Sequence, residues 1–151
     1  MASNANSAAI AGLVALFTSA PLPAFAWEAK FGPICELIYE GEPAGVRLTY
    51  DPSIPEYSIA ITPNQPWPEG PIFAMRFDGP RGNMISTNRH QLSDGGATVT
   101  VIDRGFGNVL NGLEFNDTAT ALLGDRSVTV PLDGAAPEVQ AFRACASGMS
   151  V

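Results

Sequence analysis

The chain has 151 residues, 46% of them hydrophobic, with fifteen acidic against eight basic residues and a formal net charge of −7. Such an acidic balance excludes the basic face expected of a nucleic-acid binder and argues against anionic membrane surfaces. Lys30 is the lone lysine, so the cations are almost all arginine, the better partner for carboxylates, which points to structural ion pairs.

Met1 to Ser7 are polar, Ala8 to Phe17 form an apolar run, and Pro21 and Pro23 break it ahead of Ala24-Phe25-Ala26 and Trp27. This is the order of a secretory leader with a small-x-small cleavage site, although no Lys or Arg precedes the run. The expectation is a signal peptide over residues 1–26, cleaved after Ala26, and a periplasmic or secreted product. A membrane span needs about 18 to 20 apolar residues, and this run is shorter. Residues 27–151 are enough chain for a single domain.

Downstream, short segments rich in Val, Ile, Thr, Tyr and Phe alternate in polarity, which is the period of strands. Strands are expected over Ile34–Glu40, Ala44–Tyr50, Tyr57–Thr62, Ile72–Phe77, Ile85–Gln91, Thr98–Ile102, Val109–Phe115, Thr118–Leu123 and Ser127–Leu132. Asp78-Gly79-Pro80-Arg81-Gly82, Asp94-Gly95-Gly96 and Asn111-Gly112 read as turns, because Gly and Asn tolerate positive φ. Pro52 to Pro55 and Pro63 to Pro71 read as stiff loops. Pro137 and Glu138 suit a first helical turn, and Val139, Phe142 and Cys145 recur on one helical face. The fold class is therefore all-β, an antiparallel sandwich or small barrel with one short C-terminal helix.

In an oxidising compartment Cys35 and Cys145 are expected to form a disulfide near the two ends of the domain. The competing readings are two free thiols or a metal pair. Two Cys and one His fall short of the four ligands of a structural zinc site, and no C-x-x-C pair is present. No metal and no cofactor is expected.

Candidate sites are few. His90, with Asp94 and Ser86 or Ser93 nearby in sequence, allows a Ser-His-Asp arrangement to be drawn, without a G-x-S-x-G elbow. Glu28, Glu36, Glu56, Glu69 and Glu114 supply carboxylates for glycoside chemistry, but each reads more simply as a surface charge. Trp67, framed by Pro66 and Pro68, is either a rigidly presented contact residue or a cap folded back on the sheet edge. If Ile72–Phe77, Ile85–Gln91 and Thr98–Ile102 form a meander, Arg76, Arg81 and Arg89 line either an anion patch or a face of cross-strand ion pairs. Gly105-Phe106-Gly107 lacks the continuation of a phosphate loop. Asn116-Asp117-Thr118 matches a glycosylation sequon.

With Trp27, the cysteine pair, Phe77 to Gly82, Ser93 to Gly96, Asp103 to Leu110 and Ala141 to Cys145 in view, the chain resembles a group of short exported alphaproteobacterial proteins. Some members carry the label of an excinuclease ABC component, a helicase-like repair protein that would require a Walker A motif and a cytoplasmic location. A fainter similarity is to invasion-associated locus B proteins. The resemblance implies an exported β domain and brings no catalytic residue with it. The functional expectation is a non-catalytic module that binds a periplasmic protein or envelope component through Trp67 or through Arg76, Arg81 and Arg89. The alternative is a small periplasmic hydrolase using carboxylates or His90.

Overall fold

The computed structural model describes residue 4, residues 8–20 and residues 26–148. Of the expected cleavage site, Ala24 and Phe25 lie outside the described residues. Residues 8–20 form neither helix nor strand, and Ile10, Leu13, Val14, Leu16 and Phe17 are exposed.

Ten strands form two antiparallel sheets that face each other across one core. The strands are β1 (Trp27–Lys30), β2 (Cys35–Tyr39), β3 (Ala44–Asp51), β4 (Glu56–Pro63), β5 (Phe73–Asp78), β6 (Asn83–Thr87), β7 (Gln91–Ser93), β8 (Thr98–Asp103), β9 (Thr118–Leu123) and β10 (Arg126–Pro131). One sheet runs β1-β2-β3-β4-β8-β7 and the other β10-β9-β5-β6, with no closed barrel. Alternation decides which side chains enter the core: Leu37, Val46, Leu48, Ile59 and Ile61 from the larger sheet meet Phe73, Met75, Phe77, Ala121 and Leu123 from the smaller.

Two helices complete the cover: α1 (Gly107–Phe115) and α2 (Ala135–Ala146). The second is the expected C-terminal helix. It buries Val139 and Phe142 and brings Cys145 to Cys35, with 6.0 Å between the Cα atoms of the disulfide. In its first turn the Glu138 carboxylate accepts the main-chain N–H of Ala29 at 2.8 Å, which covers a donor on edge strand β1. Trp27, the first residue after the expected cleavage site, donates its indole N–H to the Pro131 carbonyl at 2.9 Å and is buried.

Expectations are corrected at two segments. Val109–Phe115 is the body of helix α1 and not a strand, and Asn111-Gly112 is inside that helix and not a turn. Phe106, Val109, Leu110 and Leu113 repeat at i, i+3, i+4 and i+7, and all four are buried. The segment Ile85–Gln91 is not one strand either. Continued alternation from Ile85 would turn Gln91 inward, yet Leu92 is the half-buried residue, so the chain bends at 88–90 and changes sheets. The meander expected of the segments Ile72–Phe77, Ile85–Gln91 and Thr98–Ile102 therefore does not form.

Candidate functional site

The change of sheets leaves an opening in the sandwich. Strand β7 is short and pairs only with Thr98 to Thr100, so Val101 to Asp103 of β8 have β4 on one side and no strand on the other. Across from them β6 is the last strand of its sheet. Between these two edges lies a cleft of about 410 Å³. That volume is at the lower end of the range for small-ligand sites, about 300–1,000 Å³.

Its floor is core. Ile59, Phe73, Met75, Phe106 and Val109 are buried residues that the cleft reaches, and half-buried Ile85 and Val101 form facing walls from the two sheets. Its mouth is polar, formed by Ser86, Thr87, Arg89, Asp103 and Asn108. Arg89 Nη2 donates to Asp103 Oδ2 at 2.7 Å, and Asp103 Oδ1 accepts the Arg104 main-chain N–H, also at 2.7 Å. The bend positions Arg89: its N–H is held by Thr87 Oγ1 at 3.0 Å, and the next residue, His90, is tied to the Gly70 carbonyl at 2.9 Å.

The start of α1 forms one end of the cleft. Gly107, Asn108 and Val109 line it, Leu110 N–H makes the first helical bond to the Phe106 carbonyl, and the first turn has neither a capping side chain nor an acidic residue. Behind Phe106, the Tyr57 ring stacks at 5.4 Å between centroids. Burial, and then the neighbouring Tyr50, push the Tyr57 phenol above its ordinary value, while Arg143 pulls the opposite way.

The residues singled out from sequence fare differently. Arg89 is at the cleft, but the arginines do not share a site. Exposed Arg76 pairs with Asp78 at 3.0 Å on its own strand, and the Arg81 guanidinium carbon sits 4.3 Å over the Phe115 ring. Trp67 is 4% exposed. Its indole N–H donates to the Ile61 carbonyl at 3.0 Å, its main-chain N–H to the Gly96 carbonyl at 2.7 Å, and its ring meets Phe73 edge-on. The proline loop thus folds back and turns the indole into the core, leaving little of its surface for a partner.

His90 lines a shallow, open depression with Glu69. Its Nε2 is a donor to Gly70, and Nδ1, where a triad carboxylate would sit, has no hydrogen-bond partner among the described residues. Glu36 pairs with Arg47, and Glu114 pairs with Arg143 at 3.2 Å. Asn116 is buried, its amide donating to the carbonyls of Arg81 and Gly112 and accepting from Arg81 N–H, so the sequon asparagine is enclosed. Among the described residues no three His, Cys, Asp or Glu side chains gather as a metal set, and no helix is long and apolar enough to cross a membrane.

Ile85 and Val101 were not singled out as site residues. Their signal was the broken alternation between Ile85 and Leu92. No family model matches the chain, and no curated protein or solved structure matches it. Fold and geometry define a two-sheet β-sandwich, disulfide-tied, with a polar-mouthed cleft between its sheets.

Proposed function

We propose that this is a non-catalytic binding domain that works outside the cytoplasm and takes its ligand in the cleft between β6 and β8. The single observation that carries the reading is the cleft itself, which has an apolar floor continuous with the core and one polar mouth. A catalytic reading gains less support, because the histidine, which shares only an open depression with Glu69, spends its bonded nitrogen on a main-chain carbonyl. Export is supported by the leader-like residues and by the apolar side chains of residues 8–20, which are exposed and contribute nothing to the core.

The test uses the neutral fluorophore N-phenyl-naphthylamine. The folded protein is expected to enhance its emission at saturating stoichiometry of one. Val101→Trp or Ile85→Phe, which enlarge half-buried side chains into the cleft, should abolish the enhancement while the far-ultraviolet spectrum stays unchanged. Undiminished binding in both filled variants would overturn the cleft as the site. Recovery of the protein from the periplasmic fraction with Trp27 at its N-terminus is the matching expectation for export, and a cytoplasmic product starting at Met1 would refute it.

A further inference from the structure

We infer that the ligand of this cleft is a single-chain amphiphile with a carboxylate head, its alkyl part lying over Phe73, Met75, Ile85 and Val101 and its head at Arg89. The inference rests on the reading of the cleft as a ligand site and adds the chemical class. The side chains of the floor offer hydrocarbon, aromatic and thioether surface, so the part of the ligand that lies on them is apolar. The mouth then sets the head.

Among its side chains Arg89 is the cation, and it is exposed, with only one of its five N–H donors shown engaged, to Asp103. A guanidinium fork with free donors matches a carboxylate. The first turn of α1 points the same way, since Gly107, Asn108 and Val109 of that turn line the cleft and it carries no acidic side chain and no capping side chain. Asp103 opposes an anion, but both of its oxygens are already accepting hydrogen bonds, one from Arg89 and one from the Arg104 main chain. It therefore acts as the internal competitor for Arg89. A cationic head would have to share Asp103, the acidic side chain of this mouth, with Arg89.

The experiment displaces bound N-phenyl-naphthylamine with dodecanoate, dodecanol and dodecyltrimethylammonium, each below its aggregation concentration. Dodecanoate is expected to displace at a concentration about tenfold lower than dodecanol, the scale of one charge-assisted hydrogen bond, and dodecyltrimethylammonium at no lower concentration than dodecanol. Arg89→Gln should erase the advantage of dodecanoate over dodecanol, read as the ratio of the two displacement concentrations within that variant. Asp103→Asn should widen that advantage, because the competitor loses its charge. Equal displacement by dodecanoate and dodecanol, or an advantage that survives Arg89→Gln, would overturn the carboxylate class and leave the cleft reading standing. Probe binding that none of the three alkyl compounds displaces would overturn the amphiphile as a class. Failure of the probe itself to bind is the distinct result that removes the cleft reading and this inference together.

Discussion

Gly112 and Trp67 show how single positions fix the core. A Cβ at Gly112 would come within 2.4 Å of the Phe77 ring, so α1 lies against β5 at a distance only glycine permits. An interior helical Gly→Ala change ordinarily stabilises by about 0.5–1 kcal/mol. Here the sign should reverse. Gly112→Ala is expected to lower unfolding stability by about 1–3 kcal/mol through overpacking, measured by urea denaturation. Stability equal to or above the parent would show that Phe77 yields freely. Trp67→Ala should cost about 3–5 kcal/mol, since it removes a buried indole together with its bond to the Ile61 carbonyl. A change near zero would mean that the proline loop is not seated on the core. Gly96 belongs to the same contact, because a Cβ there would lie 2.7 Å from the Trp67 carbonyl, at a φ of 89°.

Strands were legible wherever one face is buried and the run is long enough to display it. Cys35–Tyr39, Ala44–Asp51 and Phe73–Asp78 each carry alternation that matches the observed burial, within a residue or so of the expected limits. Helix α1 was misread because Val109, Leu110 and Leu113 are β-compatible residues and Asn111-Gly112 imitates a hairpin turn, and only the inclusion of Phe106 exposes the helical period. β1 was missed because four residues display too little alternation. The cleft was not legible, since it depends on where β7 stops along β8, a tertiary property. Helix α2 and the disulfide were legible together, and they make a prediction. Closing a separation of 110 residues should contribute about 4 to 5 kcal/mol in the chain-entropy model, so the double variant Cys35→Ala, Cys145→Ala should lose stability of that order. Hydrogen exchange in that variant is expected to accelerate first in α2, β1 and β2, where Glu138 ties α2 to β1 and the disulfide ties it to β2, and later in β3 and β4. Uniform acceleration across all elements would show that the bridge stabilises only through the unfolded chain.

At the scale of the molecule, the two helices and the larger sheet close over a run of rings in which Tyr57 neighbours Tyr50 at 4.5 Å, Phe106 at 5.4 Å and Phe142 at 6.3 Å. Tyr39 is the more buried of the two phenols, its ring tilted against Trp27 at 5.0 Å between centroids and its hydroxyl donating to the Glu42 carbonyl. Burial raises both phenols above 10.0, with Tyr50 adding to the effect at Tyr57 and Glu42 adding to it at Tyr39. Raised values mean that the folded protein holds these protons more tightly than the unfolded chain does. Their contribution is therefore fully present below the unfolded value of 10.0 and is lost as pH rises through the folded values. The urea midpoint should fall as pH rises above the unfolded value of 10.0, and Tyr57→Phe should flatten that fall while lowering the midpoint little at neutral pH, since no hydrogen bond of its hydroxyl is found among the described residues. The net charge of −7 also opposes compaction, increasingly so as phenols ionise, and salt weakens that general repulsion. Measuring the fall at high ionic strength separates the two effects. A slope that vanishes in salt would assign alkaline sensitivity to net charge, whereas a slope that persists in the parent and flattens in Tyr57→Phe would assign it to the phenol enclosed behind Phe106.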